Sequence, residues 1–353
     1  MTFQPRCLAT GIGSFPHAEA EDAVHLILKS IPEAPVWPQL PANGINEQME
    51  AQYSEGLPRV VIDREKERMY IDTSGDYSLD LATFYENFLA ENVEYFQITP
   101  AFSKGLYAME AALKSAGGHR PLVKLQTTGP LTFGLTIVDE NKRAIYYNAE
   151  FMDAIVKGLA MKCRWQIRRF RSLAKNVLCF VDEPILSAFG SSTYMGVSRE
   201  DVVAKLKEVI EAVQAEGALA GVHCCGNTEW TILIDAGTDV ISFDAFNFAH
   251  TVALYPEAMK RHLEAGKVLA WGVVPTNSAT LQSQTPASLL ATFNEGVERL
   301  AKAAKTDRAL VVQQAMITPS CGTGSLPVAD SERAFDLLFR ISRGLREQLD
   351  AAA

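Results

Sequence analysis

The sequence predicts an α/β protein built as a closed (β/α)8 TIM barrel, and three observations carry that expectation. From Pro121 onward, short apolar or β-branched runs alternate with longer amphipathic segments, the pattern of parallel strands joined by helical crossovers. No Pro/Gly/Ser-rich linker or low-complexity tract divides the chain, so one domain spanning 1–353 is expected. Neither GxGxxG nor GxxxxGK opens a predicted helix, which favours a barrel over an open doubly wound sheet.

Taken in order, RCLATGIGS and APVWPQL read as two early strands and VVIDREKERMYID as a hairpin, within an irregular N-terminal extension over about 36–75. Helices are expected near 18–30, 78–91 and 104–116. Six strand-helix units follow. They are PLVKLQTTG with 143–173, NVLCFVDEP with 199–216, LAGVHCCG with 228–236, DVISFDA with 252–265, KVLAWGVVP with 286–304, and ALVVQQAMITP with 329–348. Two early strands and six later ones make the eight of a barrel.

Composition narrows the function. At 48% hydrophobic and 21% charged residues, the chain has ample material for a large core. A formal net charge of −9 argues against a nucleic-acid surface, which needs clustered positive charge to replace counterions. There is no run of eighteen apolar residues, and the start MTFQPRCLATGIGSF lacks the pattern of a secretory signal, so a cytoplasmic protein without membrane association is expected. The basic stretch KCRWQIRRFRSLAK (162–175) has its charges at helical spacing among apolar residues and reads as a solvated helix face. Cys7, Cys163, Cys179, Cys224, Cys225 and Cys321 are scattered rather than paired, and reduced thiols are free to bind metal.

In a barrel the chemistry sits where strands end, on the carboxyl face. GIGSFPH, QTTGP, DEP, HCCGN, FDAFN, VVPTNS and TPSCGTG all fall at such ends. In GVHCCGNTEW (221–230), alternation turns His223 and Cys225 to one side and Cys224 to the other, where it packs as a small hydrophobe. An imidazole and a thiolate two residues apart suit Zn²⁺, with Cys321 and Asp244 at other strand ends as further ligands. Taken alone, such a pair is more often a structural histidine beside an inert cysteine; Cys321 at a strand end raises the metal reading. In DEP, Asp182 and Glu183 must face opposite sides, one toward a substrate cation and the other toward loop backbone or Arg, with helix capping as the alternative. GIGSFPH lets backbone amides approach an anion, the alternative being a plain turn capped by Ser14.

On these motifs the chain resembles the superfamily of cobalamin-independent methionine synthase and uroporphyrinogen decarboxylase, whose members are β/α barrels. IGSFPH is similar to the synthase IGSFPQ, LQTTGPLT to its LTGPVT, FVDEP to its IDEP, HCC to its HxC, VISFD to its VITIE and SCG to its DCG. The likeness runs in order from Gly11 to Cys321. HCCGNT also resembles the HxCGNT of zinc-dependent methylcobamide:coenzyme M methyltransferases. The resemblance implies zinc on His223, Cys225 and Cys321, with Asp244 standing where the synthase has a glutamate ligand. Asp244 is one methylene shorter than that glutamate and lies three residues nearer the HxC motif. It implies substrate contacts at Ile12 and Ser14 for a carboxylate and at Asp182 for an amine. Glu55 or Glu47 stands for a second amine-binding carboxylate, in a region that matches poorly. The implied activity is methyl transfer to a small thiol, homocysteine first, in methionine biosynthesis. The second, N-terminal barrel of the full-length synthase has no counterpart here, so the donor is expected to be a methyl-corrinoid, on a corrinoid protein partner, or a methyl-folate. Coenzyme M is the alternative thiol. Metal-free porphyrinogen decarboxylation is a further alternative, but its acidic substrate calls for arginines near GIGSFPH, where only Arg6 lies.

Overall fold

The computed structural model describes residues 3–191 and 194–351. Its strands, in chain order, are β1 (Leu8–Ala9), β2 (Val60–Asp63), β3 (Arg68–Ile71), β4 (Arg120–Thr128), β5 (Val138–Asp139), β6 (Ala174–Asp182), β7 (Leu219–Cys224), β8 (Val240–Phe243), β9 (Val268–Val274) and β10 (Ala315–Pro319). Seven of them form one curled sheet in the order β1-β10-β9-β8-β7-β6-β4. Every pairing in it is parallel, as the helical crossovers between successive strands require. β2 and β3 form the expected antiparallel hairpin, extended by β5 into a small separate sheet.

The two edges of the curled sheet are connected by the segment 33–39. On one side Leu122 and Lys124 of β4 donate to the carbonyls of Glu33 and Pro35, at 3.1 and 2.9 Å. On the other, Gln39 donates to Gly13 and accepts from Phe15, both at 2.9 Å. The expected strand APVWPQL is therefore reduced to isolated bridges at Val36 and Gln39, because Pro35 and Pro38 have no N–H to give a ladder. β1 is short for a different reason: Arg6 and Cys7 both take positive φ, so regular pairing starts only at Leu8.

Alternation divides the sheet's side chains into two sets. Leu122, Leu178, Phe180, Val240, Val268, Ala270 and Met316 pack with Leu8, Ile12 and Ala34 in an interior cluster fed by nearly every strand. The opposite faces pack against the helices in a much larger core that includes Val123, Leu125, Val181, Val222 and Trp271. Each fully buried Leu, Ile or Phe contributes about 1.5–3 kcal/mol relative to exposure.

Two expectations fail for identifiable reasons. ALVVQQ, expected as part of a strand, is the helix Arg308–Gln313, because the Asp307 side chain caps it by accepting from the Ala309 amide. The basic stretch on helix Ala149–Phe170 is not simply solvated. Lys162 is fully buried and donates to the carbonyls of Phe96 and Gln97, while Arg164, Arg168 and Arg171 converge on Glu216. Among the described residues, no helix is long and apolar enough to cross a membrane.

Helix Lys104–Ala116, whose first turn is capped by the Ser103 hydroxyl, lies directly on the 33–39 segment. A Cβ at Gly105 would fall 1.8 Å from the Pro38 carbonyl oxygen, a backbone atom that cannot rotate away. Gly105→Ala is therefore expected to cost about 1–3 kcal/mol; an unchanged urea midpoint would contradict this packing.

Candidate metal centre

β7 supplies the centre's first donor. Cys224, fully buried, belongs to the core between sheet and helices, so by alternation its neighbours His223 and Cys225 face the interior. In the ladders, His223 is registered between Asp182 of β6 and Ser242 of β8. That register assigns the two ring nitrogens. Nδ1 lies 3.0 Å from Ser242 Oγ, and Nε2 is buried without a partner. An imidazole held by one nitrogen and free at the other is arranged as a metal ligand.

Cys321 follows the end of β10 and is held by the N-terminal turn. Thr323 donates its amide to the Ser14 carbonyl at 2.8 Å and its hydroxyl at 3.1 Å, and the Gly324 amide donates to Ser14 Oγ at 3.3 Å. The contact needs glycine, since a Cβ at Gly322 would stand 2.1 Å from Ser14 Oγ. So placed, ligand atoms of His223, Cys225 and Cys321 all lie within 4.8 Å of one another. Donor atoms around a tetrahedral zinc with N and S ligands are about 3.5–3.8 Å apart, so the set fits. No other such group occurs among the described residues.

The thiols' acid-base chemistry agrees. A hydrogen bond from Cys321, helped by His223, pulls Cys225 toward the thiolate, and Cys321 is pushed up because it keeps the shared proton. A metal would replace that proton.

Beside the triad is a cavity of about 240 Å³ lined also by Ile12, Ser14, Gln39, Glu47, Met49 and Asp182. A larger cleft of about 670 Å³ lies near His17, Asp22, Glu332 and Asp336. It brings together no comparable set of ligating atoms among the described residues, so size does not select the site. In the smaller cavity, Asp182 Oδ1 and Glu47 Oε2 are buried without hydrogen-bond partners. Burial pushes both carboxyls up, opposed at Asp182 by Lys124 and His223, and at Glu47 chiefly by the Lys104 amide.

Other acids are already occupied. Glu183, on the opposite side from Asp182, accepts from the Leu131 and Thr132 amides at 2.8 and 2.7 Å and from Thr132 Oγ1 at 2.6 Å. It thereby caps helix Pro130–Thr136, and burial pushes it up to about 7 despite these donors.

Two expected site residues lie elsewhere. Glu55 does not line the cavity; both its oxygens accept from Thr99, at 2.7 and 2.8 Å, so it ties one loop to another. Glu47 stands at the cavity instead, brought there by the turn Ile45–Glu47 after Gly44, whose φ of 103° favours glycine. Asp244 is not in the ligating group. Its oxygens accept from the Asn247 amide at 3.0 Å and Asn247 Nδ2 at 2.6 Å, capping helix Ala245–Val252. Sequence reasoning missed Ser242 and Lys124: Ser242 stands opposite His223 in the β7–β8 register, and Lys124 lies in β4 just before the QTTGP stretch.

No family model matches the chain, and no curated protein sequence matches it. Solved structures do. A methyltransferase from Methanosarcina mazei superposes with TM-score 0.57 at 11% identity, covering 99% of this chain and 99% of that one. A Listeria monocytogenes protein assigned as a vitamin-B12 independent methionine synthase superposes with TM-score 0.53 at 13% identity, covering 94% of this chain and 86% of that one. At such identities the likeness establishes a shared α/β fold.

Because Asp244 is spent on a helix cap, Asp244→Ala is expected to lower stability by about 1 kcal/mol, and Asp244→Asn, which can still cap, by much less. Metal binding should survive in both; a metal-free but folded Asp244→Ala protein would make Asp244 a ligand.

Proposed function

We propose that the chain is a zinc-dependent methyltransferase that moves a methyl group to a small thiol, homocysteine first, in the manner of methionine synthase. The observation that carries this is the meeting of one free imidazole nitrogen and two cysteine sulfurs beside two unpartnered carboxylate oxygens. In the same reading the curled sheet is a closed, single-domain (β/α)8 barrel, with 33–39 as its eighth stave. The bridges of that segment to both sheet edges support it, as does the likeness in fold to two proteins named as a methyltransferase and a methionine synthase.

His223, Cys225 and Cys321 would hold the metal, leaving one of four tetrahedral positions for substrate. When bound, zinc supplies a Lewis acid that keeps a thiol ionised at neutral pH, where a free thiol is mostly protonated. The chain's own residues do the rest. Ser242 keeps the His223 ring turned so that Nε2 meets the cavity. Asp182 and Glu47 offer buried oxygens to an ammonium group, which favours an amino-acid thiol over coenzyme M, whose sulfonate they would repel. Ile12 and Ser14 line the side of the cavity where a carboxylate would sit. Holding thiol and methyl donor in line can supply several kcal/mol of the barrier. The donor in this reading is a methyl-corrinoid on a partner protein, or a methyl-folate.

Purified protein is expected to carry about one zinc per chain, and Cys225→Ser and Cys321→Ser to lose it. X-ray absorption at the zinc edge should gain one sulfur neighbour when homocysteine is added. Full thiol methylation by metal-free protein would end the proposal.

A further inference from the structure

Lys124 is the most conspicuous charge with no part in the mechanism above. It sits in the middle of β4 with none of its surface exposed, where lysine is rarely found unless paired. Its strand face is that of Leu122, so the ammonium enters the interior, above the cluster that holds Leu122 and Phe180. There it lies 4.6 Å from the centre of the Phe180 ring. It donates to the Ile12 carbonyl and, at 3.3 Å, to Gln126 Oε1, while the Asp182 carboxylate stabilises its charge from farther away.

The bond to Ile12 has a geometric consequence. The Ile12–Gly13 peptide is trans, and in a trans peptide the C=O and the following N–H point in opposite directions. Drawing the Ile12 carbonyl toward the interior therefore turns the Gly13 N–H away from Lys124. Among the described residues, neither the Gly13 nor the Ser14 amide donates to a protein acceptor. The turn is pinned at Ser14, whose carbonyl accepts from the Thr323 amide and hydroxyl and whose hydroxyl accepts from the Gly324 amide.

We infer that Lys124 is the positioning residue for the anionic end of the ligand: by holding the Ile12 carbonyl it presents the Gly13 amide, and with it Ser14, to a carboxylate in the cavity. A charged donor holds a carbonyl more firmly than a neutral one, which accounts for keeping an ammonium where burial is costly. The inference rests on the amino-acid thiol reading given above.

Two thiols separate this role from a merely structural one: homocysteine, and 3-aminopropanethiol, which has the same thiol and amine but no carboxylate. Calorimetry on zinc-loaded Lys124→Met should show homocysteine binding weakened about tenfold, with the carboxylate-free thiol and the zinc content unchanged. Equal weakening of both thiols, or of neither, would overturn the inference. Zinc-loaded wild type that binds neither thiol would overturn the functional reading, and this one with it. Should Lys124→Met fail to fold, wild type answers the question. Ile12–Gly13 is the sole Ile-Gly pair in the sequence, so labelling isoleucine carbonyls with ¹³C and glycine with ¹⁵N reports the Gly13 amide alone. That resonance should move with homocysteine and stay with 3-aminopropanethiol; indifference to both would refute the assignment.

Discussion

The centre depends on the curvature of the parallel sheet. β10 stands three places from β7 in the strand order, which in a flat sheet would part them by about 14 Å at the usual spacing. Yet the ligating atoms of His223, Cys225 and Cys321 lie within 4.8 Å of one another. Curling carries the strand ends toward a common axis, and the interior cluster from Leu8 to Met316 keeps them there, since flattening would open voids in a close-packed core. The clamp between Ser14 and the loop after Cys321 then fixes the remaining freedom of the last donor.

Above that apolar cluster lies a layer of buried polar groups that a fold selected for stability alone would avoid. Their hydrogen bonding sorts them. Glu183 has three donors and acts as scaffold, and Gln126 and Gln39 are spent on backbone and side-chain partners nearby. Asp182, Glu47 and His223 each keep one buried atom unmatched. Unmatched atoms cost about 1–3 kcal/mol apiece, and three of them around one cavity mark where a ligand would complete the bonding.

The same accounting explains what could be read early. HCC and the cysteine of TPSCGTG were legible because alternation and strand-end position are local properties. That Asp182 and Glu183 part company followed from the same rule, but not which of them faces the cavity. Asp244 illustrates the opposite case: a carboxylate at a strand end is equally suited to ligate a metal or to cap the next helix, and Asn247 three residues on decides for the cap. Glu55 and Glu47 were indistinguishable in an irregular stretch whose path is set by contacts with Thr99 and Lys104, far away in the chain. ALVVQQ reads as β-branched strand, yet one aspartate in front of it starts a helix.

The sequence by itself determined the alternation of strands and helices, the side of each strand on which a residue stands, and the ends at which chemistry-bearing residues collect. Each of these follows from a period of two or of 3.6 acting over a few neighbours. Tertiary structure alone decided which distant side chains meet, which acids are consumed by backbone amides, and that a buried lysine meets the Ile12 carbonyl. Those outcomes depend on sheet curvature and on competition for hydrogen-bond partners between segments hundreds of residues apart, and no local pattern encodes either.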